Sequence, residues 1–226
     1  MNYDLAAVIP ARLGSSRIKE KVFIDLGDGK SLLERKIIQL SKCLPLDRII
    51  VNTESEQIAD IARKCNAVVH FRDEIYSINH LKSFSELVVH VVKKIETKHI
   101  AWTPFVVPFL DETCFARAFA NYKELVINKK DYDSLISVVE VKEYFWNKNK
   151  PLNYQANQNH TISQDLPQWF KATNGIYMAS KKTMLKQKYV LGNKVFLNIE
   201  PNNTAIDIDT IHDVNMAKSY LNILNN

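Results

Sequence analysis

Glycine is scarce, five in 226 residues, and the scarcity narrows the field. Collagen-like and low-complexity chains need far more glycine. The two common glycine fingerprints for phosphates, GxxxxGKS/T and GxGxxG, are both absent. Cysteine is scarcer still. Cys43, Cys65 and Cys114 are odd in number, far apart and form no CxxC pair, which argues for free thiols in a reducing compartment rather than a disulfide framework or zinc site. No apolar run approaches the roughly 20 residues that span a bilayer, and no basic stretch precedes Leu5–Pro10 as it would in a secretory leader. A cytoplasmic location with no membrane partner is therefore expected. No aromatic-interleaved basic stripe or helix-turn-helix pattern is present, so no nucleic-acid partner is expected either.

What remains is an ordinary globular composition, 46% apolar and 24% charged, of a length that fits a single domain over residues 1–226. Short apolar runs alternate with amphipathic segments. Leu5–Ile9, ended by Pro10, reads as a strand buried on both faces. Ser31–Cys43 reads as a helix with Leu32, Leu33, Lys36, Ile37 and Leu40 at helical spacing, Ser31 as N-cap and Glu34 three residues on. Cys43 falls on the inner side of that helix. Strands follow at 48–52, 67–71, 99–102 and 134–139, alternating with helices at 55–64, 83–95 and 111–127. Such alternation implies parallel βαβ units. Between about Val141 and Thr173 the pattern breaks into polar sequence carrying Tyr144, Phe145, Trp146, Tyr154, Trp169 and Phe170. So many large aromatics are costly to leave in water, so this excursion is expected to pack against something, a second subunit being one option. Strands at 175–179 and 195–199 and a helix at 211–224 close the chain.

The modest net charge of +5 is unevenly spread. Residues 11–21 carry Arg12, Arg17, Lys19 and Lys21 against one Glu20, while 200–213 carry Glu200, Asp207, Asp209 and Asp213 with no Lys or Arg. A basic turn after the first strand suits a polyphosphate, because ligands of open parallel sheets bind beyond the carboxyl ends of the strands. In it Gly14 would let the backbone turn sharply, and Ser15 and Ser16 offer hydroxyl and amide donors. Asp207 and Asp209, two apart in extended chain, point to one side and could share a divalent cation. The competing readings are solvated surface charge for both clusters, and an N-cap role for Asp209 or Thr210 on the helix beginning near Ile211. His212 reads as an exposed residue at the start of that helix, and the three tryptophans as packing or interface residues.

Four segments, Pro10–Lys21, Val51–Ala59, Ser163–Pro167 with Asn174–Tyr177, and Asp207–Asp209, together resemble the acylneuraminate and Kdo cytidylyltransferases. Pro10-Ala11-Arg12-x-Gly14-Ser15-x-Arg17-x-x-x-Lys21 is similar to that family's opening signature, and Asp207-Ile208-Asp209 to its metal-binding segment near the C-terminus. Between them, Val51–Ala59 resembles the second strand and helix, and Ser163–Pro167 with Asn174–Tyr177 the stretch beside the sugar acid. The resemblance implies a Rossmann-like, three-layer α/β fold with a mostly parallel sheet and a small dimerisation excursion at about 141–173, hence a homodimer. It implies transfer of CMP from CTP to a sugar acid, with release of pyrophosphate and Mg²⁺ as cofactor. By position, Arg12, Ser15, Arg17 and Lys21 would hold the phosphates, Gly14 lying among them, and Ala11, Arg12 and Arg72 would lie near the cytidine. Asp207 and Asp209 would hold the metal, and Gln164, Lys171 and Asn174 would face the acceptor. Arg12, Lys21 and Asp209 would be the catalytic residues.

The departures fall mostly on the acceptor side. Val22 stands where the family commonly has Asn. Trp102–Pro108 replaces a Gln-Pro-Thr-Ser-Pro-Leu-Arg stretch, Ser163 and Lys171 stand where arginines occur, and the spacing to Asn174 is one residue longer. Two other readings therefore stay open: a nucleotidyltransferase for another acidic or phosphate-bearing acceptor, and a non-catalytic nucleotide-binding homologue.

Overall fold

A computed structural model describes residues 3–14, 17–78 and 81–225. Seven strands form one sheet in the order β3-β2-β1-β4-β6-β5-β7. They are β1 (Leu5–Pro10), β2 (Ile49–Thr53), β3 (Val68–Phe71), β4 (His99–Trp102), β5 (Ser134–Val141), β6 (Trp169–Ser180) and β7 (Val195–Ile199). β1 pairs in parallel with β2 and β4, as do β2 with β3 and β5 with β7; only β6 runs antiparallel to its neighbours β4 and β5. The expected three-layer, mostly parallel α/β architecture is present. β1 shows why it reads as an unbroken apolar run. Leu5, Ala7 and Ile9 join one buried cluster, and Ala6 and Val8 join the other, as period-two side chains must when both faces are covered.

On the first face pack α1 (Leu32–Ser41), α2 (Glu56–Lys64), α4 (Glu112–Asn121) and α6 (Ile211–Asn225); on the second, α3 (Phe84–Lys93) and α5 (Lys181–Gln187). The Ser31 side chain accepts from the Glu34 amide while the Glu34 carboxylate receives the Ser31 amide, closing the expected capping box of α1. Ser83 and Glu86 repeat it on α3. α4 runs on as a π-helical turn, Tyr122–Asn128, so the single helix expected over 111–127 is continuous but widens at its end. Cys43 lies just past the end of α1, half-buried against the core, where its thiol reaches the Glu112 carbonyl at 3.2 Å.

One boundary needs correction. β6 begins at Trp169, paired with Val141, rather than after Thr173, so the excursion from the sheet is shorter than expected. Exposed Lys171 and Asn174 interrupt the apolar alternation there, and Ala172 and Tyr177 pair with Val138 and Ile136, leaving Thr173–Ile176 bulged opposite Ser137. The Ser137 hydroxyl accepts from the Ile176 amide at 2.9 Å and meets the Thr173 hydroxyl at 2.5 Å, which holds the bulge from the neighbouring strand.

Within the excursion the aromatics partly satisfy one another. Phe145 stacks on Trp169 at 5.1 Å and Tyr144 meets Tyr154 edge-on at 4.6 Å. Tyr144, Trp146, Leu152 and Ile162 nevertheless stay exposed.

Candidate active site

β1 sits between β2 and β4, so the chain leaves it toward both sides and opens a cleft at their carboxyl ends. The floor of the cleft is the turn that follows β1. The Ala11 amide donates to the Asn52 carbonyl at 2.9 Å, and its own carbonyl receives the Arg72 guanidinium at 2.9 Å. Arg72 is 5% exposed and also donates to Glu54, Ser77 and Asn52. Glu54 in turn accepts from the Leu13 amide at 2.9 Å and from the Ser77 hydroxyl. Burial alone would push the Glu54 carboxyl up, but the hydrogen bonds from Ser77 and Leu13 and the charge of Arg72 hold it below its ordinary value. Arg72 thus ties the turn to β2 and to the segment after β3, while its side chain also lines the cleft. Arg12 donates to the Ser77 carbonyl at 3.2 Å.

Further along the turn, Glu20 takes a left-handed conformation (φ 55°) that starts the short 3₁₀ turn Lys21–Phe23 and carries the Lys21 side chain inward. Lys21 is 7% exposed. Its ammonium donates to the Ile208 carbonyl and lies 3.0 Å from Asp209 Oδ1; Arg17 reaches the same oxygen at 2.8 Å. The basic turn and the acidic segment near the other end of the chain therefore meet at one carboxylate.

The acidic segment divides its labour. Thr210, not Asp209, caps α6: the Thr210 amide and hydroxyl donate to Asp213, at 2.7 and 2.8 Å, and the Asp213 amide returns a long bond to the Thr210 hydroxyl. Glu200 is drawn away to a buried group with Arg117 and Asn198. His212 is exposed, as expected. Of the four acids only Asp207 and Asp209 face the basic turn.

Asp207 is held by the bulge in β6. Asn174, with φ 58°, projects from it and donates to Asp207 Oδ2 at 2.8 Å, while the Tyr177 hydroxyl donates to Asn174 Oδ1 at 2.7 Å. Burial, with Tyr189 and Asp207 nearby, pushes the Tyr177 phenol up to about 12, so it stays a donor at neutral pH. Burial also pushes the Asp207 carboxyl up; the bond from Asn174 opposes this, Asp209 adds to it, and Lys21 and Lys171 oppose it. Asp207 Oδ1 is buried without a hydrogen-bond partner among the described residues. Those residues contain no cluster of three His, Cys, Asp or Glu that could hold a metal by itself. A pair of carboxylates, one with an orphaned oxygen, is the donor set Mg²⁺ takes when phosphate oxygens and water complete its shell. The two aspartates fit that ion.

Beside Arg17 and Lys21 opens a cavity of about 400 Å³, lined also by the cations Arg12, Arg72 and Lys82 and by a wall of Tyr76, Ile78, Phe84, Leu87, Phe105 and Val106. Among the described residues that line it there is no Asp or Glu, so its field favours an anion with an apolar or planar part.

Most of the sequence-derived residues converge here: Ala11, Arg12, Arg17, Lys21, Arg72, Asn174, Asp207 and Asp209. Lys171 is exposed and close enough to act on Asp207 through its charge. Gln164 is exposed, and its side-chain oxygen accepts from the neighbouring Ser163 hydroxyl rather than from the residues around the aspartates. Gly14 is exposed, and among the described residues a Cβ there would meet no atom within 4 Å. Ser15 and Ser16 lie outside the described residues. Three contributors escape sequence reading. Glu54 and Tyr177 act through bonds that depend on tertiary approach, and Lys82 gives only the weak signal of a lysine ahead of a helix cap.

Residues 6–220 match the cytidylyltransferase family. Pseudaminic acid cytidylyltransferase of Campylobacter jejuni is 25% identical over 222 residues, 93% of both chains. N-acylneuraminate cytidylyltransferase of Escherichia coli is 25% identical over 228 residues, 96% of this chain and 52% of the longer relative. Among solved structures, a CMP:2-keto-3-deoxy-manno-octonic acid synthetase complexed with CTP superposes with a TM-score of 0.68 at 14% identity, covering 97% of this chain and 99% of that one. With residues 6–220 of its 226 matched, the chain belongs to the cytidylyltransferase family.

Proposed function

We propose that this cytidylyltransferase transfers CMP from CTP to a sugar acid of the nonulosonic type. The observation that carries the reading is the meeting of Arg17 and Lys21 with Asp209, at 2.8 and 3.0 Å, beside the cation-lined cavity. A triphosphate laid along that cavity places its charge among Arg12, Arg17 and Lys21, with the nucleoside toward Ala11 and Arg72. The acceptor's hydroxyl oxygen attacks the α-phosphorus and gives up its proton to water; a new P–O bond forms, the α–β bridging P–O bond breaks, and pyrophosphate leaves. Transfer of this kind depends on positioning and charge neutralisation rather than on a nucleophilic side chain. Lys21 and Arg17 neutralise the phosphates and would exchange Asp209 for them as the nucleotide enters. Asp207 and Asp209 would hold Mg²⁺, which when bound supplies charge neutralisation on the phosphate oxygens. Asn174 and Tyr177 keep the Asp207 carboxylate turned toward that position. The sugar-acid preference is supported by the names of the relatives matched over most of the chain.

Cys43, Cys65 and Cys114 are free, as suits a cytoplasmic enzyme, and no helix among the described residues is long and apolar enough to cross a membrane. We infer a homodimer formed through the excursion after β5, where Tyr144, Trp146, Leu152 and Ile162 are exposed together.

A pyrophosphate-release assay with CTP, Mg²⁺ and a panel of nonulosonic acids, Kdo, sugar phosphates and simpler acids tests the proposal. Release with a nonulosonic acid is expected. Release only with sugar phosphates would favour the nucleotidyltransferase for another acceptor; the altered segment Thr103–Pro108 is instead the motive for the non-catalytic reading. CTP binding with no release from any acceptor would leave a non-catalytic homologue.

A further inference from the structure

Lys36 lies in the middle of α1 with 0% of its surface exposed, among the largest fully buried side chains of the molecule. A lysine there is costly, because burial strips an ammonium of its water. Its ammonium sits 4.8 Å from the centre of the Phe115 ring and donates to the Val107 carbonyl at 3.0 Å. One turn on, the Gln39 amide donates to the Pro108 carbonyl at 2.6 Å. Val107 and Pro108 belong to the segment after β4 that departs from the family pattern. The carbonyl of the preceding residue, Val106, receives the Ile208 amide at 2.9 Å, and Ile208 stands between the two aspartates and takes the Lys21 ammonium on its own carbonyl. An unbroken line of contacts thus runs from the core of α1 through the altered loop to the Asp207–Asp209 segment.

We propose that Lys36 is a positioning residue for the active site: from inside the core it pins the Val106–Pro108 backbone, which fixes Ile208 and so the aim of Asp207 and Asp209. The inference rests on the reading of those aspartates as metal-holding. Burial pushes the Lys36 ammonium down to about 7, the neighbouring Cys114 opposing this and Arg35 adding to it. A lysine with that tendency is poorly explained as a stabilising core residue, since methionine would fill the space without the desolvation cost. It is explained by a loop whose Val107 carbonyl takes its donor from Lys36 and, among the described residues, from no backbone amide.

The test is Lys36→Met, which keeps most of the volume and removes the donor. Amide hydrogen exchange by NMR should show the Ile208 amide exchanging about tenfold faster, the worth of one charge-assisted hydrogen bond, while the β2 amides keep their wild-type protection. The Mg²⁺ concentration for half-maximal rate should rise by about the same factor. The melting temperature at pH 6 should be no lower than wild type. Between about pH 7 and 10.5 the unfolded wild-type chain binds more protons at Lys36 than the folded one, so the wild type gains stability as pH rises and the variant lacks that gain. Wild-type protection at Ile208, or equal loss of protection throughout the sheet, overturns the proposal. If Lys36→Met does not fold, Gln39→Met, at a half-buried position, should raise Ile208 exchange in the same direction; no change there overturns it too. The exchange readout needs no turnover, so it decides this inference even if no acceptor is found.

Discussion

Neighbouring residues of the acidic segment hold different jobs, and single substitutions should separate them. Thr210 closes the N-terminus of α6 with Asp213. Asp209 faces Arg17 and Lys21 with a third of its side chain exposed. Thr210→Ala should cost about 1 kcal/mol of stability and leave the kinetic constants near wild type. Asp209→Ala should lower kcat by about 100-fold. Its effect on the melting temperature should be small, because half-exposed ion pairs contribute little to stability and Lys21 keeps the Ile208 carbonyl as a partner. Thermal melts and initial rates on both variants check this; a stable, fully active Asp209→Ala would contradict it. The sequence could not choose between cap and metal ligand for these positions, since both roles favour short polar side chains. The decision comes from Asp213, whose carboxylate takes the capping bonds and frees Asp209.

At the scale of elements, the bulge in β6 aims Asn174 at Asp207, and it depends on close backbone approach. A Cβ on Gly175 would lie 1.9 Å from Leu110 Cδ1, within a buried part of the loop after β4. Gly175→Ala should therefore cost about 1–3 kcal/mol through overpacking. It should also weaken metal use by shifting Asn174 away from Asp207. Denaturant midpoints together with Mg²⁺ dependence of the rate test this, and a variant equal to wild type in both would contradict it. Strands at 99–102 and 195–199 and the helices α1 and α3 were legible because their apolar periods and, for α1, the capping pair are local. The bulge was not, because Ser137, which holds it, lies on another strand and Asn174 reads as a loop residue. The same interruption hid the start of β6 at Trp169.

For the whole molecule, the sheet order brings the loop after β1 and the segment before α6 to one edge although they stand near opposite ends of the chain. Each segment was readable alone as a charged cluster, and their partnership could be inferred only through family resemblance. The Lys21–Asp209 contact turns it into geometry. The acceptor side was less legible: Lys171 and Asn174 lie close to Asp207, whereas the Gln164 side chain is occupied by its neighbour Ser163. In the function we propose, one triphosphate is held jointly by the cations of the first turn and, through Mg²⁺, by Asp207 and Asp209. Calorimetric titration of CTP with Mg²⁺ into wild type, Lys21→Met, Asp209→Asn and the double variant tests it most directly. Each single change is expected to weaken binding by about tenfold or more, and the double change by less than the product of the two, because both groups act on the same ligand. Wild-type affinity for CTP in both single variants would contradict the claim.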